Sequence, residues 1–206
     1  MTLNLTANTR YTAVAITLHW VLAILVLSMI PIGWWMSDAI LVKATRAQAL
    51  QVFPLHKATG ITILVLTIAR LLWRLSHKAP PLPQKMPAWE RTVARGTHWL
   101  FYALLLAMPL TGWVYSTAGY SEAFHTFIHV PVTWFGLFHI PEFPGIVGQP
   151  DDARKAIGLN AVAVHSKLAW VMLALAGLHV AAALKHHFIN RDDVLTRMVP
   201  FLKPKA

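Results

Sequence analysis

The sequence contains no cysteine. This absence excludes disulfide bonds, thiolate metal sites and covalent haem attachment through a C-x-x-C-H motif. Any bound metal or cofactor must therefore be held by other side chains. The 11 histidines of this 206-residue chain are the most conspicuous candidates.

Charged residues are also scarce, at 13% of the chain, whereas 56% of the residues are hydrophobic. A soluble domain carries about 25% charged and 45–50% apolar residues, so this composition indicates a membrane protein. The net charge of +10 comes from 18 basic and only 8 acidic residues. These basic residues flank apolar runs, as in membrane proteins, and do not form the aromatic-interleaved basic face of a nucleic-acid-binding domain. We therefore expect lipid, and no nucleic acid, as a partner.

Four apolar runs reach the length of about 20 residues that a membrane-spanning helix needs. They cover residues 13–36, 54–73, 96–120 and 161–184, and we expect the last helix to continue to 187. The sequence thus predicts an all-α integral membrane four-helix bundle, with residues 1–206 as a single membrane domain. Pro31 and Pro109 lie inside runs, where neighbouring helices can satisfy the carbonyls that proline leaves free.

The basic residues outside the runs predict the orientation of the bundle. They are concentrated between the second and third runs and after the fourth, whereas the connection 121–160 contains four acidic residues and two basic ones. Both termini are therefore expected on the cytoplasmic side, which we call the inner end. The long connection 121–160 then lies at the outer end. Its aromatic stretch 124–140 is expected to be interfacial or partly buried, because a fifth span would move the basic tail outside.

Four histidines lie within the runs, where ionisable residues are costly and are functional candidates by default. Given the topology, His19 and His179 lie near the inner end. His56 and His165 lie near the outer end. The four histidines thus form two pairs at matched depths.

The spacing on the fourth run suggests how these pairs are used. His165 and His179 are 14 residues apart, which returns to nearly the same helix face after a rise of about 21 Å. One helix can therefore provide a ligand to each of two stacked haems. Bis-histidine iron favours electron transfer, because it leaves no open coordination position. Glycines such as Gly60, Gly112 and Gly177 would leave room for porphyrin.

Other interpretations of the histidines remain open at this point. Histidines in spans also form hydrogen bonds between helices, or relay protons in transporters and channels. Zinc or copper is a weaker alternative, because two sites with two ligands each lack the usual third or fourth ligand.

A second group of polar residues is predicted near the inner haem. His98 opens the third run, and His186 follows His179 by seven residues, about 10 Å further along the same helix face. Together with Arg74, or alternatively Arg95, they could bind the carbonyl oxygens of a quinone and provide a proton route. The alternative is that both histidines are simply hydrated at the headgroup level.

The sequence resembles the bacterial cytochrome b561 family, and in particular its superoxide oxidase-like members. The resemblance covers nearly all of the four runs and is weakest in the connection 121–160, which is longer here. It depends on the following motifs: TLHW at 17–20, LHKATG at 55–60, ARLLWR at 69–74, THW at 97–99, MPLTGW at 108–113, HSK at 165–167 and GLHVAAALKHHF at 177–188.

The resemblance implies a four-helix bundle with two b-type haems in a bacterial inner membrane. It assigns His19 and His179 to one haem and His56 and His165 to the other, and it places His98 and His186 near a quinone. It also implies that electrons pass from superoxide on the periplasmic side to ubiquinone in the membrane.

Superoxide is an anion, so basic residues at the outer end, among them Lys57 and Lys167, would steer it towards the protein. The longer connection 121–160 supports an alternative function. The chain would then be a haem-b anchor or electron conduit between the quinone pool and a periplasmic redox protein.

Overall fold

The computed structural model describes residues 10–83, 85–128, 130–199 and 201–202. Within them, four long helices form the bundle: α1 (Ala13–Ala39), α2 (Arg46–Ser76), α3 (Ala88–Ala118) and α4 (Asp151–Lys185). A π-helical turn, His186–Asn190, continues α4. Each of the four is long and apolar enough to cross a membrane, so the predicted fold class is confirmed. Most helix ends extend beyond the predicted apolar runs, but α3 ends at Ala118 and not at residue 120. α4 begins at Asp151, so the last ten residues of the predicted connection 121–160 are helical.

The helices begin and end where local chemistry favours it. Thr12 caps α1, since its hydroxyl accepts a hydrogen bond from the amide of Ala15 at 3.3 Å. α3 and α4 each start directly after a proline, a residue whose missing N–H costs nothing at a helix start. α3 ends at Gly119, whose φ of 73° is a left-handed conformation that glycine adopts without strain.

The helices pack in chain order around the bundle. α1 lies along α2, α2 along α3 and α3 along α4, whereas α1 and α4 touch over only a short stretch. The central contact joins three helices through the buried side chains of Ile30, Leu104 and Met172. Trp34 and Trp170 stack between α1 and α4, with ring centres 4.3 Å apart. Many apolar side chains point outwards, among them Leu178 at 68% exposure, as expected of a bundle surrounded by lipid.

The outer connection folds into two small antiparallel hairpins. Strands β1 (Tyr120–Ser121) and β2 (Thr126–Phe127) form the first, and β3 (Thr133–Trp134) and β4 (Phe138–His139) form the second. The second hairpin lies against α2, where the indole of Trp134 donates to the hydroxyl of Thr62 at 3.0 Å. The i, i+4 spacing of His125 and His129 would allow the two side chains to pair, but His129 lies outside the described residues.

The tail after the π-helical turn covers the inner end of the bundle. The indole of Trp20 donates to the carbonyl of Met198 at 2.8 Å, and the guanidinium of Arg197 donates to the carbonyl of Pro81. The side chains of Thr196 and Arg197 are buried by this packing. The tail and the proline-rich linker between α2 and α3 therefore form one layer over the inner end. Lys203 and Lys205, which contributed to the predicted orientation, lie outside the described residues.

Candidate functional site

The outer pair of histidines comes together across the bundle. His56 on α2 and His165 on α4 have ring centres 6.3 Å apart, and their planes are inclined at 68°. An apolar cavity of about 290 Å³ lies beside His56, between α1 and α2. The two rings therefore lie at one level of the bundle, and His56 also lines the cavity.

Two glycines allow these rings to lie directly against helix backbones. A Cβ atom on Gly33 would be 3.3 Å from Cε1 of His56, and a Cβ on Gly112 would be 3.3 Å from Cε1 of His165. Such contacts are tight, so a larger side chain at either position would displace the ring. By contrast, Cβ atoms on Gly60 and Gly177 would meet no atom of the described chain within 4 Å.

Hydrogen bonds fix the chemistry of the His165 ring. Its Nδ1 lies 2.9 Å from the carbonyl oxygen of Met108 and 3.1 Å from the hydroxyl of Thr111. A carbonyl only accepts hydrogen bonds, so Nδ1 carries the proton and Nε2 keeps a free lone pair. This is the tautomer of a metal-binding histidine whose other ring nitrogen is held by a backbone carbonyl. The buried Nδ1 of His56 has no hydrogen-bond partner among the described residues.

The inner site contains three histidines. The ring of His179 on α4 lies 6.2 Å from that of His19 on α1 and 5.9 Å from that of His98 on α3, measured between centres. Phe101 packs edge-on against His179 at 5.3 Å. The predicted pair of His19 and His179 is therefore brought together, and His98 lies at the same level.

Arg70 is an additional member of the inner site. Its guanidinium lies 3.1 Å from Nδ1 of His19 and 5.9 Å from the ring centre of Tyr102. Arginine only donates hydrogen bonds, so Nδ1 of His19 accepts here and Nε2 carries the proton. A metal at Nε2 would require the opposite tautomer and a displacement of Arg70.

His186 occupies a separate position, closer to the inner surface. It lies seven residues after His179 on α4, about two helical turns, and its side chain is only 10% exposed. Its Nδ1 is 2.6 Å from the carboxylate of Asp192, and its Nε2 is 3.6 Å from that of Glu90. Arg74 is close enough to His98 for its charge to act on that ring. The structure thus associates Arg74 with His98 and provides His186 with carboxylate partners.

The two lysines proposed to steer anions differ in their surroundings. The ammonium group of Lys57 donates to the carbonyl of Val130 at 3.3 Å, and so links α2 to the outer connection beside His56. Lys167 is exposed on α4, two residues after His165.

Comparison with known proteins identifies the family. The model of the family "Prokaryotic cytochrome b561" matches residues 10–201. The chain belongs to the prokaryotic cytochrome b561 family. It is 34% identical to cytochrome b561 homolog 2 of Escherichia coli, over 92% of this chain and 91% of that protein. It is 28% identical to a probable superoxide oxidase, CybB, of Yersinia pestis, over 93% of this chain and 96% of that protein.

Membership of the cytochrome b561 family makes this chain a membrane electron-transfer protein that binds haem b. This decides in favour of the redox interpretation over a transporter.

The spacing of the two histidine pairs fits haem iron. A metal–imidazole bond is about 2.0 Å long and the ring centre lies about 1.1 Å beyond the nitrogen, so two axial imidazoles have ring centres about 6.2 Å apart. The two pairs, at 6.2 and 6.3 Å, match this spacing. Among the described residues, no three or more His, Cys, Asp or Glu side chains are arranged so that together they could hold a metal ion.

Sequence reasoning missed several residues that contact the candidate histidines. Gly33 could have been found, because it lies 14 residues after His19 on α1 and therefore on nearly the same helix face. Glu90 also gave a signal, since it is the only acidic residue between Asp38 and Glu122. The contact of Asp192 with His186 gave none, because it depends on the chain reversing at Arg191, whose φ is 55°.

Proposed function

We propose that this cytochrome b561 family member holds two b-type haems, with His19 and His179 as axial ligands at the inner end and His56 and His165 at the outer end. The observation that carries this proposal is the presence of two imidazole pairs with ring centres 6.2 and 6.3 Å apart. They are separated by about 21 Å along α4. Each haem, when bound, supplies a reversible one-electron carrier without an open coordination position.

We further propose that the protein, in a bacterial inner membrane, oxidises superoxide at the outer end and reduces ubiquinone at the inner end. Two superoxide anions become two molecules of dioxygen, and the two electrons together with two protons convert one quinone to quinol. Support comes from the likeness to a probable superoxide oxidase over nearly the full length of both chains. Lys57 and Lys167 would attract the anion to the outer end, since a positive surface raises the local concentration of a small anion.

The residues available to the quinone lie between α3 and α4 at the inner end. His98 would hold one carbonyl oxygen, with the charge of Arg74 nearby, and His186 lies about 10 Å closer to the inner surface. A quinone ring with carbonyl oxygens about 5 Å apart and a hydrogen bond of about 2.8 Å at each end spans roughly 11 Å. A quinone held by His98 at one end would therefore extend to the level of His186 and its neighbour Glu90 at the other end.

The outer connection favours a second candidate function, in which a periplasmic redox protein is the donor or acceptor. The second hairpin exposes large apolar side chains, with Leu137 74% and Phe138 54% exposed. Protein interfaces are enriched in such aromatic and apolar groups at their centre. In this function the chain would be a conduit or anchor between the quinone pool and that partner.

Stopped-flow mixing of the oxidised, haem-loaded protein with superoxide tests the leading proposal. We expect the haem absorbance to change to the reduced form faster than superoxide dismutates spontaneously, and added superoxide dismutase to abolish the change. Haem reduction no faster than dismutation would contradict the superoxide proposal. Reduction by quinol but not by superoxide would select the conduit.

The close packing of Gly112 against His165 provides a test of the outer ligand. A Gly112→Val change should force the ring out of position, because overpacking a tight site costs about 1–3 kcal/mol. We expect about a tenfold loss of affinity at the outer haem site and an unchanged inner one, measured by haem titration. Gly96→Val is the matched control on the same helix, because a Cβ there meets nothing within 4 Å among the described residues. Equal haem binding by both variants would argue against His165 as a ligand.

A further inference from the structure

A buried histidine between two carboxylates lies at the inner end, outside both proposed haem sites. Nδ1 of His186 is 2.6 Å from Oδ2 of Asp192, and Nε2 is 3.6 Å from Oε2 of Glu90. The side chains of Glu90, His186 and Asp192 are 12%, 10% and 20% exposed. These three proton-carrying groups lie in a row whose only hydrogen-bonded contact is the one between Asp192 and His186, since the 3.6 Å between Nε2 and Oε2 is slightly longer than a hydrogen bond. The most exposed member of the row is at the tail.

The local fold is specialised to bring these groups together. The last turn of α4 widens into the π-helical turn His186–Asn190, and the chain then reverses through the left-handed Arg191. As a result Asp192 folds back onto His186, and its backbone amide donates to the carbonyl of His186 at 3.1 Å. π-helical turns inside or at the end of α-helices are frequent at functional sites.

Neighbouring charged side chains hold these three residues in place but leave one carboxylate oxygen of Glu90 without a hydrogen bond among the described residues. Lys185 on α4 binds Oε1 of Glu90 at 2.7 Å, whereas Oε2 has no hydrogen-bond partner among the described residues. Glu90 also lies in the first turn of α3, where the helix dipole favours a negative charge. In the tail, Asp193 pairs with Arg197 at 2.9 Å, and Asn190 lies 3.1 Å from Nδ1 of His186.

The row leads towards the proposed quinone position. Glu90 is eight residues before His98 on α3, a rise of about 12 Å. His186 is seven residues after His179 on α4, and the rings of His98 and His179 are in contact. One stretch of the interface between α3 and α4 therefore extends from the level of His98 and His179 to the level of Glu90 and His186.

We propose that Asp192, His186 and Glu90 form a proton relay between the inner aqueous surface and the quinone-reducing site. The inference rests on the proposed function, because it requires a quinone at the inner end. A quinone that accepts two electrons from the one-electron donor at the outer end must also bind two protons to become quinol. Asp192 takes up each proton at the surface, His186 passes it between its two ring nitrogens, and Glu90 delivers it.

The competing explanation is that the cluster is a structural clamp that fastens the tail to the bundle. Glu90→Gln separates the two roles, because the amide keeps the shape of the side chain and its oxygen can still accept the hydrogen bond from Lys185, but it cannot carry a proton. Asp192→Asn does the same at the other end, and serves as the second variant should Glu90→Gln not fold. Asp193→Asn is the matched control, since it removes the same charge from the same tail outside the relay.

The experiment uses the haem-loaded protein in vesicles of Escherichia coli lipid containing ubiquinone. With superoxide as donor, we expect Glu90→Gln and Asp192→Asn to reduce their haems as fast as the wild type and to form quinol about 100-fold more slowly, as for loss of a general acid. Their quinol formation should also slow further in heavy water. Quinol formation within twofold of the wild type in both variants would overturn the relay. Failure of the wild type itself to form quinol would instead overturn the proposed function, and the relay with it.

A second measurement follows the carboxyl groups without turnover. Infrared difference spectra after a rapid pH drop should contain a carboxylic acid band from Glu90 that is lost in Glu90→Gln. In Asp192→Asn this band should appear more slowly, whereas in Asp193→Asn it should appear at the wild-type rate. If Glu90 protonates equally fast in all three proteins, it receives its proton by another route, and the relay is contradicted.

Discussion

Replacing His165 by alanine should halve the haem content of the protein, from two haems per chain to one. The variant keeps the inner pair, so the remaining haem should retain its bis-histidine absorption spectrum. The outer haem is lost because one axial imidazole alone leaves the iron with an open position and a weaker attachment. Haem content is measured as pyridine haemochrome per mole of protein. His56→Ala should give the same result, since its ring lies opposite that of His165 at 6.3 Å.

The control for this prediction is His139→Ala. His139 is a histidine of the exposed strand β4, so its loss should leave two haems. A His165→Ala protein that still binds two haems would show that His165 is not a ligand. A protein that loses both haems and no longer elutes as a single species would point to collapse of the bundle, and His56→Ala then decides the assignment.

The depth of each histidine could be predicted from the sequence because helix rise is regular. Once the basic residues had oriented the four runs, counting residues from the ends placed His56 level with His165, and His19 level with His179. The structure brings both pairs to about 6 Å. The same regularity explains why α4 alone can provide one histidine at each level.

The parts that sequence reasoning could not predict depend on irregular backbone. The hairpins of the outer connection contain His125 and Phe135, both with positive φ, and such positions carry little signal in residues other than glycine and asparagine. The cluster around His186 likewise requires the π-helical turn and the reversal at Arg191. Glycine placement was only partly predictable. Gly112, which the sequence suggested, contacts a site histidine, and so does Gly33. Gly33 was missed although its position 14 residues after His19 places it on nearly the same helix face.

The inner site poses a sharper question, because two histidines are suitably placed to share an iron with His179. Ring spacing does not separate them, since His19 and His98 lie 6.2 and 5.9 Å from His179. Helix packing does. α3 packs closely along α4, whereas α1 and α4 touch over only a short stretch. A flat group as large as haem fits better between helices that do not pack closely, such as α1 and α4, and this favours His19. The outer pair likewise joins α2 and α4, which are not neighbours in the bundle.

We therefore expect His19→Ala to lose the inner haem and His98→Ala to keep both. His19→Ala should halve the haem content, whereas His98→Ala should bind two haems with normal spectra and form quinol at least tenfold more slowly, as for loss of a group that binds or protonates the substrate. The comparison is well matched, since both changes remove an imidazole about 6 Å from the same ring. The reverse outcome, with one haem in His98→Ala and two in His19→Ala, would make His98 the ligand. His19 would then be left with Arg70, whose guanidinium already lies 3.1 Å from its Nδ1.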